Sequence, residues 1–433
     1  MGVILATEPK TLPTGARAEP GARRIAQLAE RTALLNAQRW FARERSWINE
    51  QQLQICRIPA PTFFEQQRAE WLREQFERLG WNARLDRAGN VLASWRADED
   101  AEPGIVLSAH LDTVIAPARP QDVYFAPDGR MFGPGSSDNG SGLAALMALA
   151  RVLRETPELE SLAASLLLVA NVGEEGEGNL SGMRYLCRPG PQLGRIQAFV
   201  VLDGPSLEHI TAQALASRRF DVSFSGPGGH SWNDYGTPNP VHAVSDAVSS
   251  FIEKAESCVA AHRRARCSYN FGIIEGGASI NSIPSSARAK LDVRSDESEV
   301  LDELAGLLTG AVERGLEREN RNTRGSRLTA KIKELGSRPG GKLPVDAPLL
   351  RAIQAIDSYL NIRSRPDCAS TDANVPLSLG LPAISIGAGG QGGGAHTNQE
   401  WYHSEQREIG LRRILLLLAA LTDHDVDSAA ANA

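Results

Sequence analysis

The chain has 433 residues, of which 42% are hydrophobic and 23% charged, an ordinary globular composition that excludes wholesale disorder. At about 150 residues per domain, this length allows two or three domains. The 46 basic residues stand against 52 acidic ones, giving a formal net charge of −6. The acidic residues are in excess and the basic residues form no obvious stripe along the sequence. We therefore expect no nucleic-acid partner.

The five cysteines are scattered, odd in number and without a C-x-x-C pair, which argues against a disulfide framework and a thiolate zinc site. This usage fits a reducing compartment. No run of about 18 apolar residues occurs, and residues 1 to 41 lack the apolar stretch of a signal peptide. We therefore expect a soluble, cytoplasmic protein with no membrane partner.

The first part of the chain is predicted to be helical. Residues 1–20, rich in proline, glycine and small polar residues, are expected to form a flexible leader. Helix-period apolar positions follow from Ala22 to Arg45 and from Trp47 to Glu77. The second stretch is interrupted at Ile58-Pro59-Ala60-Pro61, because proline has no N–H to donate.

Short apolar runs of the kind that forms buried strands come next. Between them lie helical stretches such as Gly142 to Arg154, and this alternation predicts a mixed, mostly parallel sheet flanked by helices. The runs are Ile105 to Leu107, Leu166 to Val172, Ala198 to Leu202, and Ala383 to Ile386.

Residues 211–336 have a different rhythm, with the order β-α-β-β-α-β of the ferredoxin-like motif. The first domain is thus predicted to comprise residues 21–210 and 337–433, interrupted by a ferredoxin-like α+β domain at 211–336. The six predicted elements of this insert are Arg218 to Ser225, Pro240 to Arg264, Ser268 to Ile274, Ala287 to Arg294, Glu297 to Glu319, and Arg327 to Leu335.

Side chains that can bind metal follow all four apolar runs. In open α/β sheets the ligand crevice lies outside the carboxyl ends of the strands, so we expect these groups to converge. In chain order they are His110 and Asp112, Glu174 and Glu175, Asp203, and, beyond a glycine-rich loop, His396.

Asp138 is a further candidate, because Gly133-Pro-Gly-Ser-Ser-Asp138-Asn-Gly140 directly precedes a predicted helix. Small residues allow close approach of a ligand, and the start of a helix favours an anion. Singly, each candidate has a simpler explanation. Asp138 is then a helix N-cap, the other acidic residues lie in solvated turns, and the histidines are structural.

The shared position of these groups favours a metal site. Acidic residues packed together without cations repel one another and are costly to desolvate. Imidazole and carboxylate without thiolate suit a catalytic Zn²⁺, Mn²⁺ or Co²⁺ site. The glycine-rich stretches are not followed by Gly-Lys-Ser/Thr, so a nucleotide-binding loop is not expected.

The ordered motifs from His110 to Trp401 resemble those of the M20 metallopeptidases. This family includes peptidase T, carboxypeptidase G2-like enzymes, acetylornithine deacetylase and succinyl-diaminopimelate desuccinylase. The motifs are His110-x-Asp112-Thr-Val, Gly135-x-x-Asp138, Gly173-Glu174-Glu175-Gly176, Asp203, Gly226-Pro-Gly-Gly-His230-Ser, and Ala395-His396-x-x-x-Glu400.

The resemblance implies two divalent metal ions, most simply zinc, with manganese or cobalt as alternatives. One ion would be bound by His110 and Asp203, and the other by Glu175 and His396. Asp138 would bridge the two ions. In two-metal sites of this kind the ions lie about 3.5 to 4 Å apart and polarise a carbonyl and a water together.

Further roles follow from the same resemblance. Asp112 would lie behind His110 and fix its tautomer, and Glu174 would be the general base toward a water whose pKa a metal lowers to about 7. His230, in the inserted domain, would stabilise the oxyanion. It could reach the metals by closure of that domain or from a partner subunit.

Arg294 and Asn281 resemble the residues with which the family holds its substrate. An arginine fork suits a free carboxylate, although a surface arginine on an edge strand remains an alternative. Asp372 and Glu400 are weaker candidates for supporting the ligands.

We therefore predict a metal-dependent hydrolase, and within this class an exopeptidase for short peptides, similar to peptidase T. The preference rests on two segments whose sequences resemble peptidase T, Gly276 to Pro284 and Ser370 to Asn374. An N-acyl-amino-acid deacylase with the same metals is the alternative. A metal-dependent binding protein without turnover is a third reading. The resemblance also implies that the inserted domain acts as a lid and that two copies of the chain form a homodimer through it.

Overall fold

The computed structural model describes residues 19–97, 103–190, 193–321, 323 and 325–423. The flexible leader predicted for residues 1–20 falls almost wholly outside the described residues, and the first helix begins at Glu19.

Helices account for much of the described chain. Their bounds are α1 (Glu19–Ala29), α2 (Thr32–Arg43), α3 (Arg45–Arg57), α4 (Gln66–Arg78), α5 (Gly140–Glu155), α6 (Glu160–Ala164), α7 (Ser181–Leu186), α8 (Pro240–Ala261), α9 (Ser298–Asn320), α10 (Pro348–Leu360), α11 (Asn374–Ser378) and α12 (Arg407–Thr422).

The strands are mostly short. They are β1 (Asn82–Leu85), β2 (Val91–Ser94), β3 (Ile105–His110), β4 (Tyr124–Phe125), β5 (Arg130–Phe132), β6 (Leu166–Asn171), β7 (Ala198–Leu202), β8 (His209–Ala214), β9 (Ala216–Ser225), β10 (Gly229–His230), β11 (Cys267–Gly276), β12 (Ser282–Ile283), β13 (Ser286–Ser295), β14 (Thr329–Arg338), β15 (Gly341–Lys342), β16 (Arg365–Ala369), β17 (Ala383–Ile386), β18 (Gln391–Gly393) and β19 (Trp401–His403).

The larger sheet has the strand order β1-β2-β6-β3-β7-β17-β8-β15, with β16 also paired to β8. The neighbours β6, β3, β7 and β17 run parallel to one another, whereas β1, β2 and β15 pair antiparallel near the two edges. Every residue of β3, β7 and β17 is buried, as expected for continuous apolar strands covered on both faces. The predicted mixed sheet, parallel at its centre and flanked by helices, is confirmed.

The smaller sheet has the order β11-β13-β9-β14 and is antiparallel throughout. Helices α8 and α9 pack on it, and a second hydrophobic core forms around Phe224, Phe251 and Leu304. The order β9-α8-β11-β13-α9-β14 is the predicted ferredoxin-like one. The chain enters this sheet after Leu215 and leaves it after Arg338. The exact domain limits at 211 and 336 stay a prediction.

Among the described residues, none of the helices combines the length and apolar character that crossing a membrane requires.

A buried ion pair joins α10 to α12, two helices that pack against each other and contribute to the hydrophobic core of the larger sheet. Arg413 Nε donates to Asp357 Oδ1 at 2.7 Å, and Nη2 donates to Oδ2 at 2.6 Å. The two side chains are 0% and 4% exposed. Burial raises the pKa of Asp357, and the charge of Arg413 opposes that rise. Each partner therefore compensates the other where water cannot.

We expect Arg413→Leu to lower the free energy of unfolding by about 3 to 5 kcal/mol, because it leaves Asp357 buried without its counter-charge. The double variant Arg413→Leu/Asp357→Leu should recover most of that loss. Urea unfolding followed by tryptophan fluorescence measures both. Arg73→Leu, which removes a partly exposed pair with Glu77, is the control and should change stability by about 1 kcal/mol or less. Equal losses in the single and double variants would contradict this account.

Candidate active site

The parallel strands of the larger sheet end at one edge and deliver the candidate residues there. Strand β3 ends in His110 itself, and β6 and β7 are followed closely by Glu174 and Asp203. These strands are immediate neighbours, since β3 pairs with both β6 and β7. Parallel neighbours place their carboxyl ends together, which is where open α/β sheets bind ligands.

Asp138 lies between two histidines. Its Oδ1 is 3.0 Å from His110 Nε2 and its Oδ2 is 3.2 Å from His396 Nε2. His396 Nε2 is also 2.9 Å from Glu175 Oε1, and Asp203 Oδ1 lies 4.0 Å from His110 Nε2. The structure thus brings the five side chains with predicted metal roles into one cluster centred on Asp138.

Asp138 is free for this position because its neighbour caps the helix. Asn139 Oδ1 accepts the backbone N–H of Gly142 at 3.1 Å, so Asn139 is the N-cap of α5. Asn139 also donates to the carbonyl of Leu202 at 2.7 Å. The simpler interpretation of Asp138 as the N-cap is therefore wrong by one residue.

The donor set of the cluster fits divalent metal ions. Atoms of His110, Asp138 and Glu175 all lie within 4.8 Å of one another, and nitrogen and oxygen donors without thiolate are typical of catalytic zinc, manganese or cobalt. Burial raises the pKa of Asp203 well above its usual range and that of Glu175 to about 7. A divalent cation bound here would favour the ionised forms of both carboxyl groups and so offset this cost of burial.

The pKa values of the two histidines are raised as well, but by hydrogen bonds to carboxylates and not by burial. Burial alone would lower the pKa of His110, but its hydrogen bonds with Asp112 and Asp138 raise it well above the usual value. The hydrogen bond that His396 donates to the Asp138 carboxylate raises the pKa of His396 to about 9. Burial disfavours the charge of Asp138, yet both histidines together lower its pKa. The shared carboxylate is thus the most firmly ionised acid of the cluster.

Asp112 supports the cluster through the backbone as well as through His110. Its carbonyl oxygen lies 2.9 Å from His110 Nδ1; a carbonyl can only accept, so Nδ1 is assigned a proton and Nε2 faces Asp138. Its carboxylate lies 3.6 Å from Nδ1. That carboxylate accepts the N–H groups of Glu174 and Glu175, each at 2.9 Å, and the hydroxyl of Thr62 at 3.0 Å. Asp112 therefore fixes the glutamate pair too.

Glu400 holds the loop that carries Asp138. Its carboxylate accepts the N–H groups of Gly135 at 2.7 Å, Ser137 at 2.8 Å and Asp138 at 2.8 Å, and the Ser137 hydroxyl at 2.8 Å. The side chain is 2% exposed. Burial raises the pKa of Glu400, and these donated hydrogen bonds oppose the rise. A single buried carboxylate thus organises the loop from a position far along the chain.

Asp372 lies buried beside the same cluster. Its Oδ2 accepts Nδ2 of Asn171, at the end of β6, at 2.6 Å. Burial raises the pKa of Asp372 to about 7, and the negative charge of Glu174 adds to the rise. Asp372 therefore holds the side chain of Asn171, the residue of β6 that pairs with His110 of β3.

Glu174 has a partner that the sequence analysis missed. Arg338 Nη1 donates to Glu174 Oε1 at 2.8 Å, and Nη2 donates to the Glu174 carbonyl. Both side chains are buried. Arg338 stands in no motif, and the only signal in the sequence is general: a buried glutamate needs a cation nearby.

His230 and Asn281 lie together, away from the cluster, on an arm formed by β10 and β12. His230 pairs with Ser282, and the Asn281 carbonyl accepts the N–H of Ser231 at 3.0 Å. Both side chains are exposed. His230 Nδ1 accepts the N–H of Trp232 at 3.3 Å. The structure therefore brings these two predicted residues to each other but gives His230 partners within its own arm.

Arg294 lies on β13 of the smaller sheet. Its Nε donates to Asp292 Oδ2 at 2.7 Å, and its side chain is 40% exposed. Asp292 in turn accepts Arg219 Nε at 3.0 Å, and Arg219 reaches the carbonyl of Gly176 at 2.9 Å. Arg294 is thus linked to the glutamate loop through two intermediates, and its role with substrate stays a prediction.

The fold matches a solved enzyme structure. A tripeptidase from Staphylococcus aureus shares it with a TM-score of 0.66 at 17% sequence identity, over 87% of this chain and 98% of that one. The two proteins therefore share one fold. The sequence profile of the Peptidase family M20/M25/M40 matches residues 106–420. The chain belongs to this family, as the resemblance predicted.

Two further relatives are similar in sequence. A probable carboxypeptidase of Aspergillus clavatus is 29% identical over 240 residues, 52% of this chain and 51% of that protein. The chain therefore spans about half the length of that relative. A protein of Pyrobaculum aerophilum assigned as a LysW-lysine/LysW-ornithine hydrolase is 25% identical over 290 residues, 66% of this chain and 78% of that protein.

We expect Glu400→Gln to weaken zinc binding by about 10- to 100-fold, a typical effect of losing an outer partner of metal ligands. The amide keeps the shape of the carboxylate but loses its charge and turns an NH₂ group toward N–H donors. Competition with a chelator measures the affinity. Glu405→Gln, which changes an exposed glutamate, is the matched control. Unchanged affinity in Glu400→Gln would show that the loop is held without this charge.

Proposed function

We propose that the chain is a co-catalytic two-metal exopeptidase that hydrolyses short peptides. The observation that carries this proposal is the placement of the Asp138 carboxylate between His110 and His396, each within about hydrogen-bond distance of one oxygen. One carboxylate facing two imidazoles in this way is suited to be shared by two cations.

The five clustered side chains would hold the metals in two sets. His110 and Asp203 would bind one ion, Glu175 and His396 the other, and Asp138 both. Zinc is the preferred ion, and manganese or cobalt would suit the same donors. When bound, such ions polarise the scissile carbonyl and lower the pKa of a water.

Glu174 would act as the general base. It adjoins the ligand Glu175, and the Asp112 carboxylate fixes the backbone N–H groups of both. Arg338 occupies its Oε1, which leaves Oε2 to take a proton from the attacking water. Returning that proton to the departing amine completes the cleavage of the amide bond.

The inserted sheet would serve as a lid and as the interface of a homodimer. The arm that carries His230 exposes Trp232 by 84%, Tyr235 by 85% and Ile280 by 104%, and exposed apolar surface of this extent is typical of an interaction site. The edge strand β11 adds Ile274, exposed by 54%. His230 would then stabilise the oxyanion, and Asn281 and Arg294 would hold the substrate.

An N-acyl-amino-acid deacylase with the same metals and base is the second candidate. The relative assigned as a LysW-lysine/LysW-ornithine hydrolase favours it. A binding protein without turnover is not retained, because the family consists of hydrolases.

We place the protein in the cytoplasm because all five cysteines are free.

We expect the zinc-loaded protein to hydrolyse short peptides and Glu174→Gln to lower kcat by about 10²- to 10⁴-fold, the usual contribution of a general base. Metal content should be unchanged in Glu174→Gln, whereas His396→Ala should lose metal. The assay uses protein of measured metal content. It compares the rates of hydrolysis of peptides with free, acetylated or amidated ends and of acetylated amino acids.

Loss of hydrolysis on amidation of the peptide would implicate a carboxylate-binding group such as Arg294, and loss on acetylation would indicate an aminopeptidase. Hydrolysis of acetylated amino acids alone would favour the deacylase. Full activity in Glu174→Gln would contradict the assigned base.

We expect a dimeric mass by light scattering at micromolar concentration, and Ile274→Lys should shift it toward the monomer. If His230 acts across the dimer, mixing His230→Ala with Glu174→Gln should restore about a quarter of the wild-type activity, because half the dimers are mixed and each has one complete site. No recovery after subunit exchange would place His230 on its own subunit. A monomeric wild-type mass would remove the dimer proposal.

A further inference from the structure

Arg338 occupies the junction between the two sheets. It is the last residue of β14, where it pairs with Ser217 of β9, and three residues later the chain enters β15 of the larger sheet. The residue is only 8% exposed. An arginine at this place is unusual, because a buried guanidinium requires several acceptors to offset its desolvation.

The two terminal nitrogens of the guanidinium donate to two segments, the glutamate loop and the loop after β16. Nη1 donates to Glu174 Oε1 at 2.8 Å and to Ser370 Oγ at 2.9 Å, and Nη2 donates to the Glu174 carbonyl. Glu174 is therefore held at its side chain and at its backbone by one planar group. Ser370 opens the Ser370-Thr-Asp372 segment, so the same fork also ties the loop after β16 to the glutamate loop.

We propose that Arg338 is a positioning residue that fixes the orientation of the Glu174 carboxylate. This orientation then depends on how the inserted sheet is oriented relative to the larger sheet. This inference rests on the proposed role of Glu174 as general base. With Oε1 and the carbonyl both held, rotation about the side-chain bonds of Glu174 is restricted, and Oε2 keeps one direction. A glutamate without this fork would sample several rotamers, and only a fraction would face the attacking water.

The dependence on the inserted sheet follows from where the fork is attached. Arg338 belongs to β14, and its neighbour strand β9 contributes a second contact, from Arg219 Nη1 to the carbonyl of Gly176 at 2.9 Å. Both contacts end on the segment that begins with Glu174. Rotation of the smaller sheet about its junction therefore moves the fork and with it the base.

Arg184 provides a matched control at the same junction. Its Nε donates to the Asn179 carbonyl at 2.9 Å, and its Nη2 donates to the carbonyl of Ser337, beside Arg338. Arg184 thus binds the junction through backbone oxygens, and neither of these contacts involves Glu174. A merely structural role for arginine at this place would affect both residues alike.

The test compares Arg338→Met with Arg184→Met in the full-length, zinc-loaded enzyme on one short peptide. We expect Arg338→Met to lower kcat about 30- to 100-fold, within the range of a misaligned base, with KM changed by less than about threefold and with unchanged metal content. Arg184→Met should keep kcat within about threefold. Added guanidinium ion should restore part of the activity of Arg338→Met and none of any loss in Arg184→Met.

A double-variant comparison separates this inference from the proposed function. In a Glu174→Gln background, Arg338→Met should cause no further loss of kcat, because the group that it positions is absent. If the Glu174→Gln variant is inactive but the Arg338→Met variant keeps its full activity, the inference about Arg338 is overturned and the proposed base stands. A fully active Glu174→Gln overturns the proposed base, and the inference with it.

The metal-free protein gives a readout that does not depend on turnover. Hydrogen exchange of the amides from Glu174 to Asn179 should be faster in metal-free Arg338→Met than in the metal-free wild type, with exchange in β3 and β7 unchanged. If Arg338→Met does not fold, Arg338→Lys serves instead: it keeps the charge and loses the fork, and we expect kcat at least 10-fold lower at unchanged metal content. Unchanged kcat in Arg338→Lys would overturn the inference.

Discussion

The crowding of negative charge at one edge of the larger sheet is the constraint on which the site depends. The carboxyl groups that are almost fully buried there are Asp112, Glu174, Glu175, Asp372 and Glu400. Burial raises the pKa of Glu175 and of Asp372 to about 7, since water is not present to solvate their charges. Two imidazoles and one guanidinium offset part of this negative charge. Divalent cations would neutralise the negative charge that remains.

Contacts between distant parts of the chain hold this edge of the sheet in place. Glu400 accepts three backbone N–H groups of the loop that carries Asp138, and Asp112 accepts those of Glu174 and Glu175. Charge-assisted hydrogen bonds of this kind are shorter and stronger than neutral ones. The reactive side chains are therefore presented by loops whose backbones are themselves fixed by carboxylates.

The sequence predicted the strands, their carboxyl ends and the inserted β-α-β-β-α-β unit, because apolar periodicity and chain order carry that information. It predicted that His110 and His396 would meet because both follow apolar strands of one sheet, and it added Asp138 because this residue stands before a predicted helix start, which favours an anion. Arg338 was missed because its partner Glu174 is 164 residues away. Such a pairing depends on how two sheets meet, and no local pattern records that.

The inserted unit begins and ends on neighbouring strands, with Ser217 opposite Arg338. Directly opposed residues of antiparallel strands lie about 4.5 to 5.5 Å apart, so the two stalks of the insert emerge side by side from the host sheet. A segment rooted in this way interrupts its host at a single place, the arrangement in which insertion of a whole domain is tolerated.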